Sequence, residues 1–129
     1  MLKFTVTAEI PATNENIYNA WLDSKQHSEM TNAPAVASSE IGAFFTAHDD
    51  YACGKNIELV PYSKIVQSWR TTEFSELEED SIIEIILEDK GNHTLLTLTH
   101  SNLPPHGTYE QGWKDFYFTP MIKYFSTKN

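Results

Sequence analysis

The chain has 129 residues, 40% hydrophobic and 21% charged, a composition that fits one globular domain, residues 1–129, with a core of its own. Nine Lys and Arg against eighteen Asp and Glu leave a formal charge of −9, which repels a phosphate backbone and makes nucleic acid and anionic membrane poor partners. A lone cysteine, Cys53, rules out an internal disulfide, and with no apolar signal segment or membrane-length run the expected setting is a reducing cytoplasm.

Leu2, Phe4, Val6, Ala8 and Ile10 alternate with Lys3, Thr5, Thr7 and Glu9, the period of a half-buried strand, which Pro11 ends. Ile17, Tyr18, Trp21 and Leu22 then share one side of a helix that Thr13 or Asn14 caps. Asp23, with Gln26 three residues on, opens a second short helix to about Met30.

After Pro34 the chain reads as extended, with strands near 35–40, 43–48, 51–60, 64–72, 81–88 and 93–101. The gaps at Ile41-Gly42, Asp49-Asp50, Pro61-Tyr62-Ser63 and Lys90-Gly91-Asn92 carry turn chemistry, so successive strands are expected to form an antiparallel meander. Beyond the loop Leu103-Pro104-Pro105-His106-Gly107, aromatic residues recur at helical spacing: Tyr109, Trp113, Phe116, Tyr117, Tyr124 and Phe125, with Met121 among them. Pro120 inside this stretch removes a hydrogen bond to residue 116 and predicts a kink.

No nucleophile elbow, P-loop, dinucleotide fingerprint or metal-protease motif occurs, and no cofactor is expected. The five histidines share no metal-ligand spacing, so no metal site is expected, although His100 and His106 could meet across a loop. His100 follows Leu96 and Leu98 on the apolar face of the last strand. It reads either as a hydrogen-bonded core histidine or as a polar anchor in an apolar pocket. Trp69, Trp113, Tyr117 and Met121 read as core or as the walls of such a pocket. Glu73, Glu76, Glu78, Glu79 and Asp80 crowd one loop, either a solvated turn or a patch for a basic partner protein. Cys53 reads as a small hydrophobe in a strand.

Several short runs together resemble a known family. Trp21-Leu22-Asp23 with His27-Ser28, Gly54-Lys55-Asn56-Ile57-Glu58-Leu59-Val60-Pro61, Ile65-Val66-Gln67-Ser68-Trp69-Arg70, Leu96-Thr97-Leu98-Thr99-His100-Ser101 and Gly112-Trp113 carry the resemblance. They are similar to the C-terminal-type domain of the activator of the heat-shock-protein-90 ATPase, within the START and Bet v 1-like (SRPBCC) superfamily. The resemblance implies an α+β helix-grip fold: a curved antiparallel sheet around a long C-terminal helix, two short helices after the first strand, and often a cavity between sheet and helix. The chain departs from the family pattern at His48, which stands near a usual aromatic, and at Asp50, which occupies a glycine turn position that Asp tolerates.

The leading expectation is a binding domain for a small hydrophobic or aromatic ligand, with Trp69, His100, Trp113, Tyr117, Met121, His48 and Tyr51 around it. The alternative is a co-chaperone-like interaction module using the acidic loop. An enzyme with His100 as general base is a third, weaker reading, since no second catalytic group can be named.

Overall fold

The computed structural model describes residues 2–128, and its chain order is strand, two helices, five strands and a long helix. Alternation in the first segment builds β1 (Leu2–Ile10), which buries Val6 and Ile10. Thr13 caps α1 (Asn14–Trp21) by accepting from the Asn16 N–H. The neighbouring Asn14 turns instead to Leu87 and Thr94 and ties α1 to the sheet. Asp23 caps α2 (Ser24–Thr31) through the Gln26 N–H at 2.9 Å.

Then come β2 (Phe44–Ala47), β3 (Ala52–Val60), β4 (Lys64–Thr71), β5 (Ser81–Asp89) and β6 (Thr94–Leu103). They form one antiparallel sheet in the order β1-β6-β5-β4-β3-β2, so the meander is closed at one edge by the first strand pairing with the last. Six strands are present among the described residues where seven were expected, because 35–40 contributes only a bridge between Val36 and Thr46. Its backbone groups are taken by side chains. Ser28 bonds both the N–H and C=O of Ala35, Ser24 does the same for Ala37, and Asn56 donates to the carbonyls of Ser38 and Glu40. A segment satisfied in this way has no ladder left to make.

The inner face of the sheet carries Ile65, Gln67 and Trp69 of β4, Ile83, Ile85 and Leu87 of β5, and Leu96, Leu98 and His100 of β6. Burying each aliphatic side chain of this set contributes roughly 1.5–3 kcal/mol. Gln67 is held by a buried chain in which Trp21 Nε1 donates to its oxygen and its own amide donates to Asn56. Gly54 of β3 packs against β4 so closely that a Cβ there would lie 1.9 Å from the Ser68 carbonyl oxygen. Cys53 beside it, read as a small hydrophobe in a strand, does lie in β3, opposite Arg70 and Thr46, and is exposed.

The C-terminal helix runs from α3 (Tyr109–Trp113) through a π-helical turn (Lys114–Phe118) into α4 (Thr119–Lys128). Within the turn the Thr119 N–H bonds Lys114 O, one residue further back than in an α-helix. This wider turn lies immediately before Pro120, whose ring would crowd the carbonyl of residue 116 in a regular helix. One extra residue per turn also shifts the buried face. Trp113, Tyr117, Phe118, Met121 and Phe125 enter the core, whereas Phe116 is 63% exposed.

Candidate functional site

The turn between β2 and β3 consists of residues 48–51, and it contains no glycine. His48, Asp49 and Asp50 nevertheless have φ of 52°, 56° and 69° in succession. A left-handed residue costs roughly 1–2 kcal/mol for an ordinary side chain and less for Asp. The turn is fixed from outside, by Asp49 N–H donating to Pro34 O and Thr72 N–H donating to Tyr51 O. Its effect is to send the His48 ring inward, in edge-type contacts with Tyr117 at 4.8 Å and Phe116 at 6.1 Å. His48 Nε2 is buried and has no hydrogen-bond partner. Burial holds this imidazole below its usual pKa and therefore neutral.

Beneath the turn lies a pocket of about 380 Å³. Trp69 rises from β4 on one side, and Tyr109, Gly112, Trp113, Phe116 and Tyr117 descend from the helix on the other. Tyr51 and Glu73 border it from the two neighbouring turns, joined by a hydrogen bond from the Tyr51 hydroxyl to the Glu73 carboxylate. Burial first, and then this carboxylate, pushes the Tyr51 phenol up to about 12. Thr71 shares a hydroxyl contact of 3.0 Å with Tyr109 and so fixes the last aromatic of the rim.

The rings are held from behind. Tyr117 stacks on Trp21 at 4.8 Å, and its hydroxyl meets His27 Nε2 at 2.8 Å. His27 Nδ1 faces the Trp21 carbonyl at 2.7 Å; a carbonyl only accepts, so Nδ1 carries the proton and Tyr117 donates to Nε2. Burial is the main reason the His27 pKa falls to about 4. Trp113 is fixed in the same manner. Its Nε1–H donates to His100 Nδ1 at 3.0 Å, which leaves His100 Nε2 to donate to Ser81 Oγ, whose own hydroxyl donates to Trp69 O.

Of the seven residues expected around a ligand, Trp69, Trp113, Tyr117, His48 and Tyr51 line the pocket together. His100 does not. It is fully buried, both ring nitrogens are occupied, and burial lowers its pKa to about 3, so it has no free nitrogen to serve as a base. Met121 likewise sits in the core, completely covered. His106 meets Glu78 at 3.1 Å rather than His100, and no metal-binding group of His, Cys, Asp or Glu occurs among the described residues.

The acidic loop is largely exposed, as a solvated turn would be, and side-chain bonds tie it to the sheet. Arg70 bonds Asp80 at 3.0 Å and the carbonyls of Glu78 and Ser75, and it lies over the Phe74 ring. The Ser75 N–H, followed by His106, holds the Glu78 carboxyl below the usual carboxylate range. Glu79 accepts from Asn102, Glu73 joins the pocket rim, and Glu76 stays exposed.

The family model described as Activator of Hsp90 ATPase homolog 1-like protein matches residues 11–126. The chain belongs to this family. The human Activator of 90 kDa heat shock protein ATPase homolog 1 is 26% identical over 125 residues, which is 95% of this chain and 37% of that protein. The chain thus spans little more than a third of its curated relative. An HSP90 activator from Plasmodium falciparum has the same fold, with a TM-score of 0.83 at 23% identity over 98% of this chain and 97% of that one. DynU16, from the dynemicin biosynthetic locus, matches 98% of this chain and 48% of its own at 18% identity and a TM-score of 0.77.

Within this Hsp90-activator-like domain, sequence reasoning missed Glu73 as a pocket residue and the roles of His27, Gln67 and Asn56. Tyr109 and Phe116 stood in the aromatic stripe, which was a usable signal. Glu73 gave none, because only the fold brings its loop beside Tyr51.

Proposed function

We propose that this domain binds a small, largely apolar aromatic ligand in the pocket between the β2–β3 turn, Trp69 and the C-terminal helix. One observation carries the reading: His48 Nε2 is buried in an aromatic pocket without a partner. A buried polar atom left unpaired costs about 1–3 kcal/mol and is normally satisfied. A ligand hydroxyl or N–H would satisfy it. The pocket's volume and its few placed polar groups among rings suit a small molecule. Trp69, Trp113, Tyr117 and Tyr51 would form the walls with His48 as the polar contact, while His100 and Met121 act from behind, His100 by orienting the Trp113 indole.

The test is an amide NMR titration of the labelled protein with a panel of substituted phenols. Shifts should cluster at His48, Trp69, Trp113 and Tyr117, and His48→Phe should weaken binding by about tenfold, the value of one such hydrogen bond. A panel that leaves these amides unmoved overturns the reading.

A second reading has its own observation. Leu77 is 97% exposed at the centre of the loop holding Glu73, Glu76, Glu78, Glu79 and Asp80, and relatives of this chain include activators of the 90 kDa chaperone. An apolar tip ringed by acids suits a basic surface on a chaperone partner. Binding of that kind should fall steeply with ionic strength and be lost in Leu77→Ser; salt-independent binding, or none, would dismiss it.

A further inference from the structure

The ligand that this pocket is built to prefer can be specified by charge, granted that the pocket binds a small molecule at all. We propose that it takes an organic cation, an aromatic or apolar body bearing a quaternary or alkylated ammonium group, which the ring wall and Glu73 receive together.

Glu73 is the only fully charged side chain among the described residues that line the pocket, and no Lys or Arg reaches it. An anionic ligand would meet a carboxylate and find no countercharge. The His48 ring is neutral and supplies a hydrogen bond without a positive charge. The wall itself attracts cations. Trp69 and Trp113 have centroids 4.8 Å apart, Trp113 and Tyr117 4.9 Å, and Trp69 and Tyr117 6.1 Å, so one ammonium seated against them lies within reach of several rings. Attraction to the face of an aromatic ring operates within about 6 Å of its centroid and is strongest for Trp. Glu73 is placed at the rim by Tyr51, whose hydroxyl donates to one carboxylate oxygen, and no hydrogen bond from a side chain among the described residues engages the other. The formal charge of −9 adds a field that concentrates cations and repels carboxylates.

Three probes on one para-hydroxybenzyl frame separate the possibilities: para-hydroxybenzyltrimethylammonium, its neutral isostere para-neopentylphenol, and the smaller anion para-hydroxyphenylacetate. Their affinities are measured by NMR titration at neutral pH, for the parent protein and for Glu73→Gln, whose amide oxygen can still accept from Tyr51. The cation should bind at least fivefold more tightly than the neutral isostere, the anion most weakly, and Glu73→Gln should bring the first ratio towards one. A neutral isostere that binds as well as the cation, or a ratio that Glu73→Gln leaves unchanged, overturns the proposal while the pocket stands. If none of the three shifts His48, Trp69, Trp113 or Tyr117, the pocket reading fails and this proposal falls with it.

Discussion

His27, His48 and His100 are all buried to a large degree and all kept neutral, yet each is used differently. His27 and His100 spend both nitrogens inside the protein, one holding Tyr117 and the other Trp113, whereas His48 keeps a buried nitrogen unpaired beside the pocket. Alternation along β6 was enough to place His100 on the apolar face of that strand. It could not tell an anchor for a ligand from an anchor for an indole, because that depends on Ser81 and Trp113, which belong to other elements. Neutrality has a measurable consequence. Burial lowers the folded-state pKa of His27 from 6.5 to about 4, so as pH falls the unfolded chain takes up this proton first. Its contribution is fully present above pH 6.5 and is lost as pH drops towards 4, a cost on the order of 3 kcal/mol. Urea unfolding across that window should show stability decreasing with acidity, and His27→Gln should reduce the slope by about 1.4 kcal/mol per pH unit. An unaltered slope would mean that His27 is not held neutral.

At the scale of elements, the helices were the most legible part. Asp23 capped where its spacing said it would, and of the two candidates Thr13 and Asn14 it was Thr13 that capped α1, each cap being a contact between residues three apart. The segment 35–40 misled for the opposite reason: its extended composition was real, but Ser24, Ser28 and Asn56 had claimed its backbone. The π-helical turn also lay beyond periodicity, which assumes a constant 3.6 residues per turn, and it moved Phe118 into the core and Phe116 out. Gly112 in α3 lines the pocket, and an added Cβ would meet nothing closer than Phe116 at 3.9 Å. Gly112→Ala should therefore raise stability by about 0.5–1 kcal/mol through helix propensity alone, seen as a higher melting temperature. Gly112→Leu should fill the pocket, leaving a folded protein whose amides no longer shift with the phenol panel; retained binding would place the ligand elsewhere.

On the scale of the whole molecule, the first strand and the last strand meet at one edge of the sheet. β1 pairs with β6 from Leu2 opposite Leu103 to Ile10 opposite Thr94, a contact spanning nearly all of the chain. Val6 and Ile10 enter the shared core with the C-terminal helix. Removing residues 2–10 should therefore abolish the cooperative thermal transition rather than loosen one edge, because β6 would lose its outer partner and the helix part of its seat. A truncated chain that still melts sharply near the parent temperature would contradict this. No helix among the described residues is long and apolar enough to cross a membrane.

The helix-grip class was legible in the sequence only through the family resemblance. What local pattern determined was two short helices after the first strand, the two-residue alternation of the strands and the aromatic character of the last helix. Those properties depend on residues two to four positions apart, where pleat and helical pitch make neighbours. Tertiary structure alone decided which rings line a pocket and which fill the core, why His100 lies behind the wall while His48 faces the space, and that Glu73 reaches the rim. Each of those contacts joins elements tens of residues apart, so its geometry is set by how the sheet curves and the helix crosses it, and no local pattern records that.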